Sequence, residues 1–297
     1  MKQMHILNLP IALVLLAMGF TVNDADVAAP EIPRERWLQM YGARTSWRPL
    51  GKALWGYLAG NLRAPDSLDT LCQSPYMPVA CSDLINPYTS LPIKERKGSP
   101  GDFWMERSPA IMVHFSIIDP MTGKIDPGVP LDFQYNLEIF KKDAESRRPE
   151  ATFPGRLRGF SDPEKTAEMV WQYLHAAIAE YQASPDFVRP GSPYLPPPRT
   201  LDEINIRASE LATKYPLQRY TAHLYPILLG RLRNAFTGGT AQNVSTPSAG
   251  NYRYYFPDPD KACLEVFGAS GRTLERFCYP VAVKLTPKPE PNPKTHQ

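Results

Sequence analysis

Residues 84–104 read LINPYTSLPIKERKGSPGDFW, and the fold class turns on them. Asn86-Pro87 is turn chemistry: proline presets φ for a turn's second position, and asparagine hydrogen-bonds the nearby backbone. Pro92 biases Leu91 toward an extended conformation. Pro100-Gly101 makes a second turn, which aims Asp102 and Phe103 into the next segment. That segment alternates: Ile111, Val113 and Phe115 face one way, Met112, His114 and Ser116 the other. Upstream of residue 84, the chain has the apolar spacing of a helix at Trp37, Leu38, Tyr41, Leu54, Tyr57 and Leu58. Pro49 and several glycines divide that pattern into two shorter helices. The quoted stretch is therefore a braced connector from helix to sheet. Stiff residues suit such a crossing, because fewer unfolded conformations are then lost.

Working outward, residues 131–139 alternate again, with Leu131, Phe133, Tyr135, Leu137 and Ile139 on one face. Ser161 and Glu164 have capping-box spacing and open a helix whose apolar face is Ala167, Val170, Leu174, Ile178 and Tyr181. A proline-rich connector leads to a second helix, opened by Thr200 and Glu203 and stopping near Pro216. A third helical stretch spans residues 220–236. Residues 251–283 are β-like. The tail, residues 286–297, lacks apolar anchors and reads as disordered. No internal repeat is evident. The reading is an α+β fold. An N-terminal helical segment leads through a proline-rich braced connector into an antiparallel sheet, with additional helices and a C-terminal β-hairpin. Its segments are 1–29, a signal peptide or N-terminal anchor; 30–150, helix plus antiparallel strands; 151–240, helical with a proline-rich linker; 241–285, β-rich; and 286–297.

A chain of 297 residues with 43% hydrophobic residues can bury a sizeable core. Its 33 prolines are about twice the average usage and favour turns and extended links over long helices. A net charge of +3, with basic residues scattered, excludes nucleic acid as a partner class. The apolar run from Ile6, followed by small residues at Ala25, Ala28 and Ala29, reads as a secretory signal peptide. Membrane association would come only through an uncleaved N-terminus. The expected location is extracytoplasmic: periplasmic, envelope-associated or secreted.

Cys72, Cys81, Cys263 and Cys278 have no C-x-x-C spacing and no histidine nearby, which argues against a zinc site. Behind a signal peptide an even count favours disulfides. Three pairings are possible, and the two local ones, Cys72–Cys81 and Cys263–Cys278, are preferred. Folding residues 263–278 about Ser270-Gly271 sets Cys263 opposite Cys278, Glu265 opposite Arg276 and Phe267 opposite Leu274.

No catalytic constellation stands out; G-x-S-x-G, S-x-x-K, H-E-x-x-H and the P-loop are all missing from the sequence. His114, His175 and His223 sit among apolar neighbours and read as structural. Asp258 and Asp260 are the best local acidic pair and weak candidates for calcium, short of a full ligand set. The run NYRYYF before them reads as a strand with one buried face. Asn243-Val244-Ser245 fits a glycosylation sequon. No cofactor is implied.

The quoted stretch resembles the region after the N-terminal helix of bacterial type IV pilin-like proteins, especially the pseudopilins of secretion systems. The matching positions are Leu50, Gly51, Ala53, Leu54 and Tyr57. Then come Pro65, Leu68 and Leu71, next Asn86, Pro87, Tyr88, Thr89 and Pro92, and finally Pro100, Gly101 and Asp102. The likeness covers about residues 48–105. The chain departs from the family at its start, where the apolar run precedes GFTVND instead of following it. The resemblance implies an exported structural or binding protein with protein partners in the envelope. The alternatives are a secreted hydrolase with a dispersed active site, or a ligand- or lipid-binding module.

Overall fold

The computed structural model describes residues 34–107, 111–118, 123–126, 133–135, 137–138, 141, 157, 159–183, 195–214, 224 and 226–280. The leader, most of the proline-rich linker, His223 and the tail lie outside them. The fold is α+β. Helix α1 (Arg34–Asn61) leads to the short α2 (Leu68–Gln73), a 3-10 turn, and the paired strands β1 (Ile85–Asn86) and β2 (Leu91–Pro92). Strands β3 (Phe103–Glu106), β4 (Ile111–Phe115) and β7 (Phe133–Tyr135) form one antiparallel sheet; β5 (Ile117–Ile118) pairs with β6 (Ile125–Asp126). Helices α3 (Asp162–Gln182) and α4 (Asp202–Lys214) come next. Then come β8 (Arg233–Asn234) paired with β9 (Gly239–Thr240), and a second three-stranded sheet. That sheet is β10 (Tyr252–Asp258), β11 (Lys261–Phe267) and β12 (Thr273–Pro280).

Pro49 does not split α1. An interior proline costs a helix about 3 kcal/mol. Beyond it, Leu50, Ala53, Leu54, Tyr57 and Leu58 are all buried, and each large apolar side chain contributes about 1.5–3 kcal/mol, so packing outweighs the break. The alternation in β4 is as expected. Among the described residues of the run 131–139, Phe133–Tyr135 are strand and 137–138 have helical backbone. The third helical stretch is absent from its described part, which holds a 3-10 turn (Leu229–Arg231) and β8 instead. Helix α3 buries more than one face. Met169, Trp171 and Tyr173 are as buried as Val170 and Leu174, because α1, the second sheet and α4 all pack on it.

The chain contains an internal repeat that its sequence conceals. Residues 84–94 (LINPYTSLPIK) and 232–242 (LRNAFTGGTAQ) build one hairpin twice, and SPGDF at 99–103 recurs as SAGNY at 248–252. Ile93 N–H donates to Leu84 O at 2.8 Å, and Ala241 N–H to Leu232 O at 2.7 Å. Asn86 and Asn234 are the paired hubs. Asn86 Oδ1 accepts from Tyr88 N–H (2.9 Å), and its Nδ2 donates to Pro100 O (2.8 Å) and Asp102 Oδ1 (3.0 Å). Asn234 Oδ1 accepts from Phe236 N–H (3.1 Å), and its Nδ2 donates to Ala249 O (3.0 Å) and Asn251 Oδ1 (3.1 Å). Lys94 N–H reaches Asp102 Oδ1 at 3.0 Å, as Gln242 N–H reaches Asn251 Oδ1 at 2.9 Å.

The glycine after each turn is required twice over. Gly101 and Gly250 have φ of 76° and 73°, a region costly to any residue with a Cβ. A Cβ there would meet Asn86 Oδ1 at 2.2 Å or Asn234 Oδ1 at 2.1 Å. The likeness extends upstream. Ser67-Leu68-Asp69 opens α2 and Thr200-Leu201-Asp202 opens α4, with Leu68, Leu71, Leu201 and Ile204 buried. In each repeat the long helix packs on its own hairpin, α1 on β1 and α3 on β8.

Both local disulfides are present, Cys72–Cys81 and Cys263–Cys278, and no described cysteine is free. The first braces the connector and the second links neighbouring strands. Disulfides form and persist in oxidising compartments. Among the described residues no helix is long and apolar enough to cross a membrane.

The hairpin register holds at Cys263–Cys278 and Glu265–Arg276 but pairs Phe267 with Thr273 rather than Leu274. A bulge between Val266 and Phe267 takes up the extra residue. Leu274 instead caps Gly268, where a Cβ would lie 2.6 Å from its Cδ2.

Candidate functional site

The acidic pair does not gather ligands. Asp258 and Asp260 lie in the exposed β10–β11 turn, where Asp258 Oδ1 accepts from Asp260 N–H at 3.1 Å. Among the described residues no three His, Cys, Asp or Glu side chains converge as a metal site. The NYRYYF strand buries Tyr252 and Tyr254 and turns Arg253 and Tyr255 outward. Asn243, in the sequon, is exposed, and its Oδ1 accepts from Tyr254 N–H at 3.0 Å.

The two sheets carry different chemistry at matching positions. Trp104 pairs with His114 in the first repeat, and Arg253 with Glu265 in the second. The rings of Trp104 and His114 stack 4.0 Å apart, with Lys97 Nζ 4.4 Å from the indole centroid. His114 Nε2 lies 3.8 Å from Glu106 Oε2. Glu265, only 3% exposed, accepts from Arg253 (2.7 Å) and the Tyr255 hydroxyl (2.9 Å) and forms an ion pair with Arg276 (3.2 Å). Such a carboxylate is committed to holding strands together. Glu164 is similar: its Oε2 accepts from Ser161 N–H at 3.3 Å, and its Oε1 from Arg272 at 2.8 Å. Hydrogen bonds from Arg272, then Ser161, hold its carboxyl below the ordinary range despite burial.

Two hollows lie among the described residues: one of about 420 Å³ beside Asn243, Arg253 and Tyr255, and a cleft of about 270 Å³ between α1 and α3. Trp47, Gly51 and Trp55 line it from α1 at four-residue spacing, one face of a helix. Lys52 lies beside them, and Gln172 and Glu180 face across from α3. Arg48, 5% exposed, donates through Nη2 to Glu180 Oε2. That pair neutralises itself. Lys52 lies within the field of the same Glu180 carboxylate, and Gln172 Nε2 donates to Glu168 Oε1 at 3.4 Å. Burial pushes the Lys52 ammonium pKa down, against the pull of Glu180 and with the push of Arg48.

His175 stands on the same helix, one turn beyond Gln172. Its ring stacks on Trp171 at 4.7 Å, and its Nδ1 lies 2.7 Å from the Tyr279 hydroxyl. Burial and then the Lys52 charge lower its pKa, while burial raises that of Tyr279. Lys52 does not stand out in the sequence, because a lysine in a helix is ordinarily solvated. The signal that could have found it was Trp47, Gly51 and Trp55 at regular spacing around it. Compared with family models, curated proteins and solved structures, the chain matches none of them.

Proposed function

We propose that this chain is an exported structural or binding component that acts through its surfaces, a pilin-like protein carrying two helix-to-sheet repeats. The observation that carries the reading is the repetition of the braced connector. The stretch that resembles pseudopilins is built twice, around Asn86 and around Asn234, with the same hydrogen bonds. A connector preserved in geometry while its sequence drifts is a module for presenting a helix and a sheet together. The two disulfides support export to a periplasmic, envelope or secreted location. The buried carboxylates support a structural role, because Asp102, Glu164 and Glu265 each hold backbone or arginine rather than face a pocket.

Fractionation of native cells, with native gels of the solubilised envelope, tests the reading. The expected result is a species larger than the 33.4 kDa chain that contains other pilin-like chains. A lone monomer in the medium with hydrolytic activity would overturn it.

A further inference from the structure

We propose that copies of this chain join head to tail, the exposed face of α4 on one copy seated on the β1–β2 hairpin of the next. The two repeats carry the inference, because each is a control for the other. Their hairpins share one set of hydrogen bonds but not one surface. In the first, Ile85 (37% exposed) and Pro92 are cross-strand partners on one face, Leu91 (55% exposed) stands at the turn, and Lys94 and Lys97 are exposed beyond them. The positions of Ile85, Leu91, Pro92 and Lys94 are held in the second hairpin by Arg233, Gly239, Thr240 and Gln242. The connector therefore folds without exposed apolar side chains. A cluster of them that the fold does not require marks a contact surface.

Its complement lies on the other repeat. Helix α4 buries Leu201, Ile204, Ala208 and Leu211 at and after its start, and turns Asp202, Ile206 and Glu210 to solvent at a spacing of four residues. Ile206 is 58% exposed, more than any other large apolar side chain among the described residues. The first repeat lacks this face: α2 is six residues long and ends at Gln73, the position of Ile206. One half thus presents an apolar side chain between carboxylates, and the other presents apolar side chains beside lysines. Lys94 is in no ion pair among the described residues, Lys97 Nζ leans over the Trp104 ring at 4.4 Å, and Glu210 has only Arg207, at 3.6 Å. Opposite charges set the orientation, and apolar contact supplies the affinity. Because the two faces are unlike, the contact is heterologous and repeats from copy to copy, as an open chain or a closed ring. It does not involve the N-terminal segment. The inference rests on the reading that the chain acts through its surfaces, and it names the surfaces.

The test is sedimentation velocity on the full chain, exported by its native host and purified alone, at up to about 300 μM, enough to populate a contact with a Kd of about 100 μM. Wild type is expected to associate beyond the dimer, and less so in about 1 M sodium chloride, which screens charges beyond about 3 Å. A hairpin variant, Leu91→Ser with Lys94→Glu, and a helix variant, Ile206→Ser with Glu210→Lys, change only exposed side chains; near-UV circular dichroism checks that each keeps its fold. Each alone is expected to self-associate at least about tenfold more weakly. Mixed, they still own one intact pair of faces, so they are expected to form a one-to-one dimer and stop there. Four results would each overturn the inference: a wild type that stays monomeric, association that salt leaves unchanged, either variant associating as wild type does, or a mixture that fails to dimerise or grows past the dimer. A monomeric purified chain beside a large envelope species would sink this contact and leave the structural role standing.

Discussion

Replacing the hub asparagines by alanine measures what the repeated connector contributes, and the two copies act as controls for each other. Asn86 is fully buried, so water cannot substitute for its amide. Asn86→Ala strands Tyr88 N–H and Pro100 O and removes one donor from Asp102, which is 1% exposed. Three lost hydrogen bonds at roughly 1 kcal/mol each, the one to a carboxylate counting about double, give a loss of about 4 kcal/mol. Asn234→Ala breaks the matching bonds and half of a shared one from Thr237 N–H, which also reaches Asn234 O, but its partner Asn251 is a neutral amide, so about 3 kcal/mol is expected. Asn86→Asp sharpens the comparison. It sets a second carboxylate against Asp102 in a buried site and should cost more than Asn86→Ala. Asn234→Asp faces a neutral amide rather than a second carboxylate and should cost less than Asn86→Asp. Urea unfolding of the oxidised protein, followed by near-UV circular dichroism, reads all four. Either of two results would refute the reasoning: Asn86→Ala costing under about 1 kcal/mol, or Asn86→Asp proving milder than Asn234→Asp.

The same geometry sets three further outcomes. Gly101→Ala and Gly250→Ala each force a Cβ into left-handed backbone and against the hub asparagine; each should lower stability by about 2 kcal/mol or more in the same urea assay. Cys72→Ser with Cys81→Ser, and Cys263→Ser with Cys278→Ser, open loops of 9 and 15 residues; chain entropy sets the losses at about 2.5 and about 3 kcal/mol, read by Tm and urea midpoint. Glu164 is held below its ordinary pKa, so its stabilisation is full above that value and fades as pH falls through the lowered one. Glu164→Gln should therefore flatten the acid side of a Tm-against-pH curve, and high salt should do the same in part, because Arg272 is 62% exposed.

The connector and the C-terminal hairpin are legible in the sequence because local chemistry decides them. Asn86, Pro87, Pro92 and Gly101 each restrict the backbone within a few residues, and Cys263, Glu265, Arg276 and Cys278 fall into register around one turn. The bulge beside Phe267 is not legible, since it depends on Leu274 packing over Gly268. The unbroken α1 is hidden for the opposite reason: the local cost of Pro49 is plain in the sequence, while the burial that offsets it is tertiary. The repeat is hidden because few identities survive, among them Asn86 with Asn234 and Gly101 with Gly250. The link between hairpin and glycine is also one residue longer in the second copy. What the copies share is the geometry of side chain to backbone bonds, which emerges only once Asn234 is seen to repeat the contacts of Asn86. The cleft is illegible in the same way, because Lys52 meets Gln172 and Glu180 only when α1 packs on α3.

Export underlies the proposed role, and one mass spectrum tests it most directly. Native cells would be treated with N-ethylmaleimide before lysis and the intact protein weighed without reductant. The account predicts no maleimide adducts on the four cysteines and a mature N-terminus created by a cut between Ala25 and Pro30. A chain that still begins at Met1 and carries four adducts would contradict it, since both disulfides and the exported location would then be absent from the living cell.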